Sequence, residues 1–555
     1  MSEPALEFDG RAVPFREGQT IAAALTEAGQ RAFRRTAKDA PRGIFCGMGV
    51  CQDCLVTVDG VPNRRACMTK ARAGQRVTTG EPFPALDLDA RLPEPAPARV
   101  LEPEVLVIGG GAGGLSAAIA ARAAGAKVVL VDERPVPGGQ YYKQAASGAP
   151  LDAQQSEGAA LVAAARESGA ELLGGVEIWG AFDGPLFLAE QDGAALILRP
   201  KTVIVATGAY ERPVMVPGWT LPGVMTTGAA QTLWRSYRTL PGRRVVVCGS
   251  GPLNAQVALE LAEGGAEVAC VAELAPMPFG KPFAAARMAL ADPALTLKGF
   301  GLLRGLRRRG IALRYGTALR GIEAADGGLA VTLADRRDGS RVVEVDAVCM
   351  NAGFEPQNEI LRLLGAQMTY DAVFGHLRCT RSETLETSVP GVYAVGDCAG
   401  MGGAPAARVE GRIAGRAAAA ATGHGEAYDL FAELRTLARH RRFQRGLWRL
   451  YDVRPRPPEP GQGETILCRC EEVSLAEATE GHGRNPGHVG TLKRGTRIGM
   501  GRCQGRYCGP VATRLVAGWS GAEIADRSFF APRVPIKPVS IASILAAQEA
   551  LDDAP

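Results

Sequence analysis

EVLVIGGGAGGLSAAIAARAAGAKVVLVDE, residues 104–133, reads as a short apolar run, a glycine turn, an alanine-rich helix and a second apolar run. That order is one strand–helix–strand unit of a parallel sheet. Gly109, Gly111 and Gly114 give a G-x-G-x-x-G spacing after the first run and at the start of the helix. Glycine there lets the backbone approach a pyrophosphate, and the helix N-terminus offers it free amides. Asp132 and Glu133 end the second run about 20 residues on, where a carboxylate takes an adenosine ribose. Counting from the Gly125 turn favours Asp132. A second copy, RRVVVCGSGPLNAQVALELAEGGAEVACVAE at 243–273, keeps Gly249 and Gly251 but carries Asn254 at the third glycine position. Glu273 would suit NAD rather than NADP. A structural vestige without nucleotide is the competing reading.

Around these two units the 555 residues are too many for one core. A 46% apolar content with 70 glycines suits an α/β protein with many tight turns. A net charge of +5 is too diffuse for a nucleic-acid binder. No run of 18 apolar residues predicts a membrane span, and MSEPALEFDGRAVPF lacks the basic start and apolar centre of a secretory signal. The expectation is a reducing cytoplasm, where clustered cysteines are metal ligands rather than disulfides.

Eight of the thirteen cysteines fall into two quartets. Cys46, Cys51, Cys54 and Cys67, in CGMGVCQDCLVTVDGVPNRRAC, have the C-x4-C-x2-C…C spacing of plant-type [2Fe–2S] ligands. Gly47 and Gly49 let the loop wrap inorganic sulfide, and a hairpin turning at Asp59-Gly60 returns the fourth thiol. This segment resembles the ferredoxin-type domain of succinate dehydrogenase iron–sulfur subunits. Cys468, Cys470, Cys503 and Cys508, in LCRCEEVS and MGRCQGRYCGP, are spaced C-x-C-x32-C-x4-C. They resemble the helical [2Fe–2S] domain of bacterioferritin-associated ferredoxin, with a wider last gap. Arg469, Arg502 and Arg506 would offset the charge of four thiolates. A structural zinc is the alternative for either set. The two quartets are expected on opposite sides of the nucleotide-binding core.

Further segments resemble the two-dinucleotide-domain flavoproteins. They are the Gly138-Gly139 loop, VIVATGAYERP (203–213) with Thr207 and Gly208, and TSVPGVYAVGDCAG (387–400) with Gly396 and Asp397. That resemblance implies FAD, or another adenine nucleotide in the same site, with Asp397 on the ribityl chain. Cys248, Cys270, Cys349, Cys379 and Cys398 form no redox pair, and none of the five histidines sits in a general-base motif. No catalytic residue is assigned.

The whole arrangement resembles the alpha subunits of hydrogen cyanide synthase, opine oxidase and D-hydroxyproline dehydrogenase, and more distantly of heterotetrameric sarcosine oxidase. CGMGVCQDC, GGGAGGLSAA, TLPGVMTTGAAQTL (220–233) and MGRCQGRYCGP carry the likeness. It implies an α/β fold: a two-Rossmann flavoprotein core flanked by an N-terminal β-grasp ferredoxin-like domain and a C-terminal helical [2Fe–2S] domain. The expected divisions are 1–95, 103–215 with 335–422, 216–334, a basic connector at 423–462, and 463–555. A proline-rich linker is expected at 91–103. The implied function is electron transfer from a partner beta subunit, an FAD protein of amino-acid-oxidase-like fold, to an acceptor such as a quinone. FMN at the subunit interface and peripheral attachment to the inner membrane belong to the same implication. The rivals are a self-contained NAD(P)H-dependent ferredoxin-type reductase, which needs a working second Rossmann site, and a non-enzymic iron-binding module.

Overall fold

A computed structural model describes residues 4–85, 95–278, 281–335, 339–425, 429–451, 454–459 and 461–552. Val105–Ile108 and Val128–Asp132 are strands buried along their whole length. Strands covered by helices on both faces must be continuously apolar, which is why these runs show no alternation. They lie in a five-stranded parallel sheet ordered Glu171–Gly174, Val128–Asp132, Val105–Ile108, Thr202–Val205, Val392–Ala394. The helix Ala112–Ala123 crosses the helix Gly403–Ala421 at backbone contact. A Cβ on Gly411 would stand 2.2 Å from the Gly113 carbonyl oxygen, and one on Gly415 2.3 Å from that of Ala117. Only glycine permits that approach. Truncating the fully buried Leu130 to alanine would cost about 2–5 kcal/mol.

The second parallel sheet runs Val224–Thr226, Ala347–Asn351, Arg244–Gly249, Glu267–Glu273, Leu313–Tyr315. Here the boundary expected at 334/335 needs correction. Ala347–Asn351 is an inner strand of the second sheet, and Gly339–Val345 completes a meander with Ala318–Ala325 and Gly328–Asp335. An apolar run does not say which of two similar sheets it joins. The linker expectation also changes. Residues 91–94 lie outside the described residues, and Arg99–Leu101 is a strand parallel to Ala194–Leu198.

The N-terminal unit is a mixed sheet ordered Arg11–Pro14, Ala5–Phe8, Arg76–Thr79, Leu55–Val58, Val61–Arg65. It holds the helix Ile21–Glu27, whose first five residues are buried and whose N-terminus is capped by Thr20 accepting from the Ala23 amide. The hairpin turns at Asp59-Gly60, with Val58 opposite Val61. At the other end of the chain the helix Phe431–Tyr451 leads to a short hairpin, Ile466–Cys468 with Val473–Ser474. Three helices follow, Leu475–Arg484, Val489–Thr496 and Gly509–Ser520. The final helix, Ile541–Asp552, is tied to the core by Ser540 and Ser543 hydroxyls donating to Glu190 at 2.7 Å each. Among the described residues no helix is long and apolar enough to cross a membrane.

Candidate functional site

A cleft opens at the carboxyl ends of the first sheet. Gly109, Gly111, Gly139, Thr207, Gly208, Gly396 and Asp397 line it, as do Asp132 and Glu133. Gly114 lies beneath: a Cβ there would stand 1.8 Å from the Gly109 carbonyl oxygen. Gly109 (φ +106°) and Gly139 (φ +62°) hold left-handed backbone. Gly111 begins the helix with no side-chain cap, so its first-turn amides face the cleft unpaired. The Asp132 carboxylate accepts from the Gly110 amide at 2.5 Å and the Arg134 amide at 2.7 Å. It thereby pins the glycine loop, with lone pairs left for a ribose diol. Burial pushes its carboxyl up to about 6. Asp397 accepts from the Gly402 and Gly403 amides at 2.8 Å each, and burial raises its carboxyl too. A glycine cradle, free helix amides and a loop-bound carboxylate fit an adenine dinucleotide.

Sequence reasoning missed what closes this cleft. Lys537, from the C-terminal tail, forms an ion pair with Glu133 and lines the opening with Ile536. Burial alone would raise the Glu133 carboxyl, but Lys537 brings it below the usual range. A lone lysine among the prolines of PRVPIKP gives no periodic signal. Met48, from the first cysteine loop, and Arg506, from the last, also reach the wall. No histidine lines it.

The first quartet sits directly behind. The thiol of Cys46 neighbours that of Cys51, and that of Cys54 neighbours that of Cys67. Two amides point at sulfur at 3.5 Å, Met48 N–H at Cys46 and Cys67 N–H at Cys54. Gly47 (φ +61°) and Gly49 (φ +82°) wrap the loop, and the Gly47 carbonyl accepts from Arg134 at 3.0 Å. Among the described residues no three His, Cys, Asp or Glu side chains converge as a single ion would require. Thiols in two pairs, ringed by amides, fit two adjacent irons.

In the second quartet Cys468 neighbours Cys470 and Cys508, and Cys470 neighbours Cys503. Cys503 and Cys508 are buried, and Cys508 begins the helix Gly509–Ser520. The expectation that the quartets flank the core is overturned: their loops touch. Asp53, between Cys51 and Cys54, meets Arg469, between Cys468 and Cys470, at 2.6 Å. Arg469 also lies 4.0 Å from the Phe45 ring centre and 4.8 Å from that of Trp219. Phe45 and Tyr507, neighbours of Cys46 and Cys508, pack edge to face at 5.3 Å. Arg42 and the Thr36 hydroxyl reach Glu472 across the same junction. The charges assigned to the cluster are therefore shared. Arg469 serves Asp53, and Arg506 is paired with Glu359 at 3.0 Å. Arg502 stands beside Cys470.

The second glycine loop is covered. Ser250 donates to Glu273 at 2.7 Å and to the Tyr451 carbonyl at 2.8 Å. Gly251 and Ala275 amides donate to the same carboxylate, which is 2% exposed. Trp448 lies over Gly251. Asn254 is buried, accepting from Thr227 and donating to the Asn351 carbonyl. The basic helix Phe431–Tyr451 thus stoppers the site where NAD would bind. Cys248, Cys270, Cys349, Cys379 and Cys398 are all buried and free.

The fold and cleft define a dinucleotide-binding oxidoreductase core with cysteine-rich domains attached at both ends. Residues 103–423 match the family model described as pyridine nucleotide-disulphide oxidoreductase, and residues 4–82 match that of the 2Fe-2S iron-sulfur cluster binding domain. The chain is 33% identical to an opine oxidase subunit of Agrobacterium tumefaciens (strain Ach5), over 80% of this chain and 91% of the relative. It is 30% identical to the HcnB subunit of hydrogen cyanide synthase from Pseudomonas aeruginosa, over 78% and 96%. It is 26% identical to the alpha subunit of sarcosine oxidase from Rhizobium meliloti (strain 1021), over 97% of this chain and 57% of the relative. The crystal structure of L-proline dehydrogenase from P. horikoshii shares the fold, at TM-score 0.72 and 20% identity, over 98% and 97%. The chain belongs to the pyridine nucleotide-disulphide oxidoreductase family, in the group that includes the opine oxidase and hydrogen cyanide synthase subunits.

Proposed function

We propose that this chain is the electron-transfer subunit of a heteromeric amine or amino-acid dehydrogenase acting on CH–NH donors. In this reading a partner subunit of amino-acid-oxidase-like fold oxidises an opine, D-hydroxyproline, a D-amino acid or glycine, and an acceptor such as a quinone drains the electrons. The observation that carries it is continuity. The nucleotide cleft adjoins the first cysteine loop through Arg134 and Gly47, and that loop meets the second through Asp53–Arg469 and Phe45–Tyr507.

A flavin in the cleft and two [2Fe–2S] centres would split a two-electron donor into single electrons. Gly109, Gly111, Gly114, Gly139 and the helix amides would hold the pyrophosphate of FAD, or of another adenine nucleotide. Asp132 would take the ribose, and Thr207, Gly208, Gly396 and Asp397 would line the rest. Cys46, Cys51, Cys54 and Cys67 would ligate one centre, and Cys468, Cys470, Cys503 and Cys508 the other. The hydrophobic shell of Phe45, Trp219 and Tyr507 keeps water from the junction, as each is buried. A self-contained NAD(P)H reductase is disfavoured, because Glu273 and the second glycine loop are already bonded to Ser250 and covered by Trp448.

The test is anaerobic purification with analysis of iron and nucleotide. About four irons per chain are expected, two for each centre, with an adenine nucleotide released on denaturation. Co-expression with the product of an adjacent amino-acid-oxidase-like gene should give a complex that one of these substrates bleaches. An iron-free, nucleotide-free chain sinks the proposal.

A further inference from the structure

We propose that the helical hairpin Pro282–Arg308 is a docking surface for an anionic phospholipid bilayer, and that its two helices lie in the plane of the headgroups. The proposal stands on this hairpin and does not depend on the redox chemistry proposed above.

The hairpin has its sides reversed. Its helices, Pro282–Ala291 and Pro293–Arg308, turn at Asp292, which caps the second by accepting from the Leu295 amide. A surface helix ordinarily turns its apolar stripe inward and its polar residues to water. Here the outward stripe of the first helix is Phe283, Ala286, Arg287 and Leu290, residues that share one face at helical spacing. On the second helix Leu297, Phe300, Gly301 and Arg304 face outward. Phe283 is 86%, Leu290 82%, Leu297 70% and Phe300 62% exposed, and the first two are the most exposed large apolar side chains among the described residues. Holding four such side chains in water is unfavourable, and their gathering on one hairpin marks an interaction surface.

The inner side is firmly built in, so the exposed face is not a frayed end. Leu306 is buried, and Gly305 lies against Leu259, where a Cβ would stand at 3.0 Å. Gly446, on the helix Phe431–Tyr451, lies against Met288, where a Cβ would stand at 2.8 Å. Lys281 donates to the Arg449 carbonyl at 2.7 Å.

Charge decides what covers the outer side. Residues 281–309 carry seven lysines and arginines and a single acid, Asp292, which is buried. Arg287, Arg304, Arg307 and Arg308 form no ion pair among the described residues. A second copy of the chain would set these cations against the same cations, and the core of a protein–protein interface is poor in charge. An anionic bilayer supplies hydrocarbon for the leucines and rings and phosphate for the guanidinium groups. Arginine stems lie along such a surface with their heads raised to the phosphates. Neither helix is long and apolar enough to cross a membrane, so the pair would rest on it.

Cosedimentation of the full chain with vesicles tests this. The chain should bind vesicles of phosphatidylglycerol and phosphatidylcholine, bind phosphatidylcholine alone weakly, and lose about tenfold in affinity between about 0.05 and 0.5 M salt. Phe283→Ser, Leu290→Ser, Leu297→Ser and Phe300→Ser together should lower the affinity about tenfold or more and leave nucleotide content unchanged. Arg287→Gln, Arg304→Gln, Arg307→Gln and Arg308→Gln together should remove the preference for phosphatidylglycerol. A wild-type chain indifferent to these vesicles overturns the proposal, as does a serine variant that binds them as tightly as wild type. If the serine variant does not fold, hydrogen exchange on the wild-type chain decides: vesicles should slow the amides of residues 283–308, and unchanged exchange overturns the proposal. A wild-type dimer that the serine substitutions split, without vesicle binding, assigns the face to a second copy and overturns it. Loss of a co-expressed partner subunit with vesicle binding intact assigns the face to that partner and overturns it too. A chain free of iron and nucleotide that still binds vesicles refutes the functional proposal and supports this one.

Discussion

Replacing Asp53 by asparagine should loosen the junction between the two cysteine domains more than replacing its partner Arg469 by methionine. Asp53 has 3% and Arg469 6% of its side chain exposed, and they meet at 2.6 Å. Asp53 also holds Arg34 at 2.8 Å, so Arg469→Met leaves its charge compensated. Asp53→Asn leaves Arg469 buried without a carboxylate among the described residues. Breaking such a pair from one side costs about 3–5 kcal/mol. The rings of Phe45 and Trp219 beside the guanidinium and the Trp219 carbonyl at 2.8 Å stay in place. The rings retain about 1–2 kcal/mol, which leaves a net cost of about 1–4 kcal/mol. Arg469→Met should cost about 1 kcal/mol less than that. The assay is native-state hydrogen exchange at the amides of Ile466–Cys468 and Leu55–Val58, because a chain of several domains has no single unfolding energy. The double variant should recover part of the loss. Equal costs for the two single variants, or a coupling under about 0.5 kcal/mol, would mean that water screens the pair and that the junction is not dry.

Gly114→Ala should abolish nucleotide retention, because its Cβ would meet the Gly109 carbonyl at 1.8 Å and push the helix off the glycine loop; nucleotide released per chain on denaturation is the readout, and full retention contradicts the cradle. NADH alone should not bleach the purified chain, since Trp448 and Tyr451 cover the second loop; rapid bleaching without a partner would revive the reductase reading. Burial pushes the pKa of His376 down to about 3 from 6.5. The unfolded chain takes the proton first, so stability is level above pH 6.5 and falls on acidification towards about pH 3. The slope is on the order of 1.4 kcal/mol per pH unit. The pH dependence of hydrogen-exchange protection in the hairpin Met368–Asp371 with His376–Cys379, between about pH 4 and 6, should flatten in His376→Gln, and an unaltered slope would remove His376 as the cause.

The sequence by itself determined the local structure and the candidate ligand sets. Strand–glycine–helix spacing at 104–133 specifies a unit whose geometry follows from neighbours in the chain. The quartet spacings, with Gly47 and Gly49 at positive φ, specify loops that bring thiols together locally. Even the degraded second loop was visible in Asn254. Tertiary structure alone decided which sheet took Ala347–Asn351, that Trp448 and Tyr451 stopper the second loop, and that Lys537 reaches Glu133 across about 400 residues of chain. It also placed the two quartets face to face through Asp53 and Arg469 rather than on opposite sides of the core. Periodicity and spacing report only which residues are close along the chain. Contacts between distant segments depend on how whole domains dock, and docking is set by burial and charge summed over surfaces that no single stretch contains.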